Sequence, residues 1–545
     1  MEHFLPKIVS HLKSYNIKQT KKDILSGVMV AIIALPLSIA FTLGCGLPPE
    51  KGIYSAIISS IIIGLLGGSR VQIAGPTGAF IVLIQSILLQ FGMNGLVLTT
   101  ILAGIFLILM GVFHFGKFIK FIPTPIVTGF TGGIAITIFT LEVKDFLGFP
   151  ITTLPTNFFD KWKTYFINIH TININAILIG VLSLLIILFW PKINRSIPAS
   201  FIAIFICTIV SELLELDINR LGEMSVALEF ASMPEITPSS ILPLIQPALS
   251  VALLIALQAL FSAVMTDDMI NSQHNPNKEL VAQGISNLIL GVFALVPSTG
   301  GVARSIANVK NGGRTPVAAI THSLTLLLFI LFGMPLLKLI PLSALAAILI
   351  ITAYNMFNMK EFLSYKYAPR SDTIILITSC LITFSFNLIL AIEIGLVITF
   401  ISFVKRMSEE SHIYQWNDIH HNDNHHHTSP MKQNAIVPKH TLVYEVNGPL
   451  FFATANNIHV ILHRANSDVK YVIIRMKGVT AIDVTAIKSL KKLHHKLHSR
   501  GIKLIFSHLL EQPRMAMTKA GLIDEIGEEN ICDNINVALE HVANL

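Results

Sequence analysis

Apolar stretches of membrane-spanning length recur from Ile24 to Val404, and no other feature of this chain constrains its fold as tightly. A helix crossing a bilayer needs about 17 to 25 such residues, because the hydrocarbon core is about 30 Å thick. Ile24–Gly44, Leu96–Val112, Ala176–Trp190, Ile241–Met265 and Leu388–Val404 are the plainest cases. Counting the shorter and interrupted stretches as well predicts about fourteen spans. Composition agrees: 52% of the residues are hydrophobic and 13% charged, about half the ~25% charge of a soluble protein. That excludes disordered and collagen-like chains. A net charge of +7 could suggest nucleic acid, but the basic residues fall between apolar runs rather than in one patch. No nucleic-acid partner is expected. Cys45, Cys207, Cys380 and Cys532 are isolated and form no disulfide framework.

The basic residues collect in every second loop, as the positive-inside rule requires. Lys18, Lys21 and Lys22 precede the first span. The same side then receives Arg70, Lys117, Lys120, Lys192, Arg195, Lys278, Lys310, Arg314, Lys360, Lys366, Arg370, Lys405 and Arg406. The opposite loops are mostly uncharged or acidic, as with Glu212, Glu215, Asp217, Glu223 and Glu229, while Arg220, Lys161 and Lys163 run against the trend. Both termini are therefore expected in the cytoplasm and the lipid bilayer is the first partner. Residues 1–23 read as a polar cytoplasmic segment rather than a cleaved signal peptide, because the apolar run after it continues into further spans.

Residues 24–404 form the expected membrane domain, and residues 405–438 read as a polar linker. The linker carries His420, His421, His425, His426 and His427 near Asp418 and Asp423. A His-rich tract can bind metal, but without ligand spacing or cysteine this one reads as a solvated connector, and no metal site is expected. Residues 439–545 read as a small α/β domain. Strands are expected at Thr441–Val446, Tyr471–Met476 and Leu504–Phe506. Helices are expected at Ala455–His463, Thr485–His498, Pro513–Ala520 and Asp533–Val542.

Two breaks interrupt apolar runs where a continuous helix would be expected: Gly75-Pro76-Thr77-Gly78 and Pro297-Ser298-Thr299-Gly300-Gly301. Pro76 follows Pro36 of the first span, and Pro297 follows Gln258 of the span that opens a second half, at nearly equal spacing. Glycine and proline can serve close packing alone, but matched placement points to inverted repeats with broken helices and a midplane site. A helix that starts inside the membrane offers unpaired N–H groups and a positive dipole end. Two such starts facing each other attract an anion. Arg304 would lie two turns into the second broken helix and add positive potential; snorkelling or a structural ion pair is its plain alternative. Gln258 and Ser262 are four apart and share a helix face, as site groups or as polar glue between helices. Glu393 reads as a packing or interface residue, and Asp267 and Asp268 as solvated groups at a span end.

With these residues in view, the chain resembles the SulP (sulfate permease) family of anion transporters, which join a membrane domain of seven plus seven inverted-repeat spans to a cytoplasmic STAS domain. The resemblance rests on Ala34-Leu35-Pro36 through Phe41, on Leu47-Pro48-Pro49-Glu50-Lys51-Gly52-Ile53-Tyr54, on Gly75-Pro76-Thr77, on Asn275 to Gly284, and on Gly312-Gly313-Arg314-Thr315. It implies a fold of about fourteen α-helical spans in a 7+7 inverted repeat with two broken helices, followed by a small α/β domain. The implied anion site lies between the starts of the third and tenth helices, which here gives Phe41, Thr77, Thr299, Gly300, Gly301, Val302, Ala303 and Arg304. An aromatic edge such as that of Phe41 carries partial positive charge. Gln258 stands where relatives coupled to sodium or protons commonly carry an acidic residue, so exchange, uniport and coupling through another group stay open. No other cofactor is implied.

The C-terminal domain resembles STAS through Tyr471–Met476 and Ile482-Asp483-Val484-Thr485. Soluble anti-sigma antagonists are phosphorylated at the place of Thr485, but Val484 and Ala486 replace the expected neighbours, so a helix cap by Asp483 or Thr485 is the reading of choice. The resemblance further implies a homodimer, cytoplasmic protein partners for the STAS domain, and elevator-like alternating access. The expected function is secondary transport of a small inorganic anion, sulfate-like or bicarbonate-like, in the cytoplasmic membrane, by antiport or symport. It is not an enzyme on this reading, as no catalytic constellation or P-loop is present. A channel-like anion conductor and a membrane-anchored STAS signalling scaffold are the alternatives.

Overall fold

The computed structural model describes residues 17–117, 123–151, 154–155, 157–194, 197–225, 227–228, 230, 237–385, 388–415, 437–455, 461–462 and 468–545. Lys120, Arg195, Glu229, Asp418, Asp423, the histidines 420–427 and most of the expected helix Ala455–His463 lie outside the described residues. The chain divides into two units, Met1–Leu396 and Val397–Leu545.

In the first unit, α1 (Ile17–Gly44) and α2 (Pro49–Leu66) lead into a two-residue strand, β1 (Ala74–Gly75). A 3-10 turn (Gly78–Phe80) then opens α3 (Ile81–Val112), followed by α4 (Thr124–Phe146), α5 (Phe158–Ile167), α6 (Ile174–Ile193) and α7 (Ala199–Leu213). The same order begins again with α8 (Ile245–Ile270), α9 (Pro276–Val292), β2 (Thr299–Gly300) and α10 (Val302–Lys310). It ends with α11 (Val317–Leu337), α12 (Leu342–Phe357), α13 (Arg370–Ser385) and the first residues of α14 (Leu388–Glu409), whose later residues belong to the second unit. Helix, helix, two-residue strand and interrupted helix thus occur twice. β1 and β2 pair antiparallel, Ala74 with Gly300 and Gly75 with Thr299, so the two breaks meet.

Among the described residues, seven helices are long and apolar enough to cross a bilayer alone. Shorter apolar segments, Ala199–Leu213 and Val317–Gly333, stand beside them. Gly92 inside α3 takes φ +66°, a left-handed conformation that glycine adopts without a Cβ clash and that breaks the helical path. One apolar stretch thereby holds two helical segments. The helices pack mainly within two groups: α1–α3 with α8–α11, and α4–α7 with α12 and α13. Only sparse contacts, chiefly from α1 to α7 and α12, join the groups.

Several buried polar side chains tie segments of this unit together. Asp23 is fully buried and accepts from Arg314 N at 2.7 Å and from Thr315 Oγ1 at 2.6 Å, holding the segment that enters α11. Glu279 of α9 accepts from Gly68 N at 2.9 Å and Ser69 N at 3.1 Å. Asp267, expected to be merely solvated, accepts from His274 N at 2.6 Å and lies 2.7 Å from His274 Nδ1. Asp268 and Glu393 are exposed.

In the second unit, five strands stand in the order β3 (His412–Gln415), β4 (Thr441–Asn447), β5 (Tyr471–Gly478), β6 (Lys503–Ser507) and β7 (Ile531–Cys532). β3 is antiparallel to β4, and the other pairings are parallel. Side chains alternate across a pleated sheet. Tyr444, Ile474 and Phe506 therefore face one layer, with Leu490, Leu493 and Leu497 of α15 (Val484–His498). Val443, Ile473 and Ile505 face the other, with Leu539 and Val542 of the C-terminal helix, whose residues are Ile535–Ala543. Two segments differ from the sequence-based expectation. α14 runs past the expected linker start to Glu409, and His412–Gln415 is an edge strand rather than linker. Its alternating exposure leaves no apolar run to read.

Candidate functional site

The paired strands aim two helix starts at one place. Ser60 Oγ donates to Ala74 O at 2.8 Å and accepts from Ala74 N at 3.1 Å, fixing β1 against α2. From the other side, Ser305 Oγ accepts from Ile73 N at 3.1 Å and Gly301 N donates to Ile73 O at 3.0 Å. Thr299 Oγ1 donates to Ile255 O of α8 at 3.0 Å. These bonds satisfy the backbone where both helices are interrupted, a requirement for irregular chain at membrane depth.

Gly300 must lack a side chain. A Cβ there would sit 1.6 Å from Gln72 Nε2, which itself donates to Ala259 O at 2.9 Å. Gly75, at φ +153°, leaves the same kind of room for the Arg304 guanidinium.

Among the described residues, no side chain caps the start of the 3-10 turn that opens α3 or the start of α10, and neither first turn carries an acidic residue. The leading N–H groups of both helices therefore keep their partial positive charge unanswered. Thr77, the residue that would cap the first start, instead donates its hydroxyl to Gln258 Oε1 at 2.9 Å. Thr77, Gln258 and Val302 are partly exposed and Ala303 is exposed, so the mouth of the site is open. Behind it, Thr299, Gly300 and Gly301 are buried. Phe41 is also buried, and its ring edge abuts the start of the first broken helix, close to where a Cβ on Gly78 would stand.

Arg304 is displaced from its expected depth. α10 begins at Val302, because Thr299 and Gly300 are drawn out into β2, so Arg304 lies in the first turn rather than two turns in. Its side chain is 3% exposed; Nη2 donates to Ser38 Oγ at 3.1 Å, while Nε and Nη1 have no hydrogen-bond partner among the described residues. Ser262 is fully buried with its hydroxyl unpartnered, one turn behind Gln258. The structure thus joins Thr77 to Gln258 and sets the 299–304 segment beside them, while Ser262 makes no bond to either. Sequence reading missed Ser38, Gln72 and Ser305; each is a polar residue in an apolar run, where burial requires a partner.

The sulfate permease family model matches residues 20–379, and the STAS domain model matches residues 432–538. The chain belongs to the sulfate permease family. Within the sulfate permeases, the putative sulfate transporter YvdB of Bacillus subtilis is 34% identical over 96% of this chain and 98% of its own length. The bicarbonate transporter BicA of a Picosynechococcus species is 27% identical over 87% of this chain and 86% of its own. The solved structure of the murine anion transporter Slc26a9 in the inward-facing state superposes with a TM-score of 0.88 at 18% identity, covering 99% of this chain and 94% of that one; it shares the fold. The chain is therefore a multi-pass member of the sulfate permease family, with a helical membrane domain and a STAS domain built on a small sheet.

In the STAS unit, Asp483 is the cap of α15: Oδ1 accepts from Ala486 N at 2.8 Å and Oδ2 from Phe452 N at 2.9 Å. Thr485 is exposed in the first turn.

Proposed function

We propose that this sulfate permease is a secondary transporter of a small inorganic anion, sulfate-like or bicarbonate-like, in the cytoplasmic membrane. One observation carries the reading: two helix starts, capped by no side chain and free of acidic residues, open beside the Thr77–Gln258 pair. Backbone N–H groups and helix dipoles attract a compact oxyanion there without a covalent or metal step. Arg304 adds a fixed charge from the buried side, with two nitrogens uncommitted within the protein. The relatives described above, a putative sulfate transporter and a bicarbonate transporter, support both anions as candidates.

The movement belongs to the same proposal. The group α1–α3 with α8–α11 carries both helix starts and packs sparsely against the group α4–α7, α12 and α13. Sliding one group past the other would expose the site to each side in turn, an elevator with both termini cytoplasmic and, in the assembled protein, a homodimer. Purified protein in liposomes, offered labelled sulfate or labelled bicarbonate with and without trapped anion and a sodium gradient, tests the reading. Saturable uptake of at least one anion is the expected result. Liposomes that take up neither under any of these gradients would overturn it.

A further inference from the structure

A cavity lies on the seam between the two helical groups, where α1 and α4 end and α12 begins. Its walls are Ala40 and Leu43 of α1 and Leu342, Leu345 and Leu349 of α12, and two carboxylate residues of α4, Glu142 and Asp145, line the remaining side. Three residues apart on one helix, they share a face. Glu142 is 6% exposed, and among the described residues its carboxylate has neither a hydrogen bond nor an ion pair. Asp145, nearly one turn on, is partly exposed and also lacks both.

The other polar groups facing this pair are few. Lys144 comes from the same helix, and Tyr165 comes from α5 with its hydroxyl committed to Thr140 O at 2.9 Å. The wall residues from α1 and α12 are apolar. A lone carboxylate in such surroundings is costly as an anion, and an ionisable group kept inside a membrane domain is a functional group by default. The walls identify what it holds. A metal cation needs several oxygen ligands, which leucine and alanine side chains do not offer, whereas a proton needs only the carboxylate.

We propose that Glu142 is a proton-carrying group: it holds a proton while the seam is closed and passes it through Asp145 to the outer solution when the two helical groups shift. The transfer is a single proton, from the Glu142 carboxyl to the Asp145 carboxylate and on to water, and the reverse for uptake. Nothing else forms or breaks. The proposal rests on the transport reading above and adds to it the ion that moves with the anion.

Two measurements test it on the full chain, as wild type, Glu142→Gln, Glu142→Asp and Asp145→Asn. In liposomes containing a trapped pH dye, labelled sulfate and bicarbonate uptake is followed at external pH 5 to 8. Wild-type uptake should change several-fold over this range and move protons. Glu142→Gln should keep exchange of trapped against external anion but lose the pH dependence and at least tenfold of the proton movement; Glu142→Asp should restore part of both, and Asp145→Asn should slow proton movement. Infrared difference spectra of the purified proteins read the proton directly: a protonated carboxyl band present in wild type should be missing in Glu142→Gln. Unchanged pH dependence and proton movement in Glu142→Gln would overturn the proposal, as would an unchanged carboxyl band. If wild type takes up neither anion, the transport reading fails, and the infrared band alone then decides whether Glu142 holds a proton. The isosteric variant guards against misfolding, and a wild-type elution profile on size exclusion is the condition for scoring it.

Discussion

Gly300→Ala should damage the site through a single clash, and the structure sets its size. The new Cβ would fall 1.6 Å from Gln72 Nε2, where carbon and nitrogen in contact need roughly 3.5 Å. Gln72 must retreat by about 2 Å, and this breaks its 2.9 Å bond to Ala259 O. Gln72 is 2% exposed, so neither the freed amide nor the freed carbonyl reaches water. Leaving such groups unpaired costs about 1–3 kcal/mol, and overpacking a filled core adds about 1–3 kcal/mol. A loss of about 2–6 kcal/mol is expected, with weaker anion binding because β2 aims the start of α10. Thermal unfolding of the purified full chain, read together with anion binding, measures both. The double variant Gly300→Ala with Gln72→Ala removes the obstructing amide, so its loss should be smaller than the sum of the single losses by about 1 kcal/mol or more. A Gly300→Ala protein that unfolds and binds like wild type, or strictly additive losses, would refute the reasoning.

Arg304→Met should weaken anion binding about tenfold or more, since a fixed unit charge close to the anion is worth about 1–4 kcal/mol at an effective dielectric of about 20. It should leave the unfolding midpoint unlowered, because the buried guanidinium has one hydrogen bond and two unpartnered nitrogens; isothermal binding and a thermal melt check the two halves. Gln258→Glu should put a negative charge at the mouth, 2.9 Å from Thr77 Oγ1 in the native geometry, so uptake should fall at neutral pH and recover on acidification; a pH-independent loss would count against Gln258 facing the anion. In the STAS unit, burial with His495 and His498 close by pushes His494 below the usual imidazole range. The unfolded chain then gains a proton near pH 6.5 that the folded domain resists, so stability should fall as pH drops below about 6.5. A hydrogen bond from Lys491 holds the Glu525 carboxyl below its usual range, and its share is lost at still lower pH. The STAS unfolding transition at pH 7.5, 6.0 and 4.5, with His494→Asn flattening the first interval, tests this; an unchanged midpoint across all three would refute it.

What the sequence discloses depends on the range of the interaction that sets each feature. The apolar runs and the two Gly-Pro breaks are local, and they expose the membrane domain and the neighbourhood of Thr77 and Thr299. The depth of Arg304 is not local: it follows from pairing Ala74 with Gly300, and a two-residue strand has no periodicity to detect. Gln72 and Ser38 are ordinary polar residues until the fold brings Gly300 and Arg304 against them. The break at Gly92 is hidden for a related reason, because it falls inside an apolar stretch that reads as one helix. In the STAS unit, strongly patterned β5 and α15 are legible, as is the Asp483 cap, while β3 hides in a polar stretch as an edge strand.

The β1–β2 pairing also sets an order of manufacture. Its two partners are separated by about 225 residues, which a ribosome working at about 5–20 residues per second needs about 10–45 s to span. During that interval the first broken helix enters the bilayer with Ala74 and Gly75 lacking their strand partner, and Ile73 O lacking the donor that Gly301 later supplies. The nascent first half must be sheltered by the insertion machinery or by water until residue 301 emerges. A chain that stops before residue 301 therefore keeps the Ser60 clasp on Ala74 but lacks the second half of the pairing that builds the site.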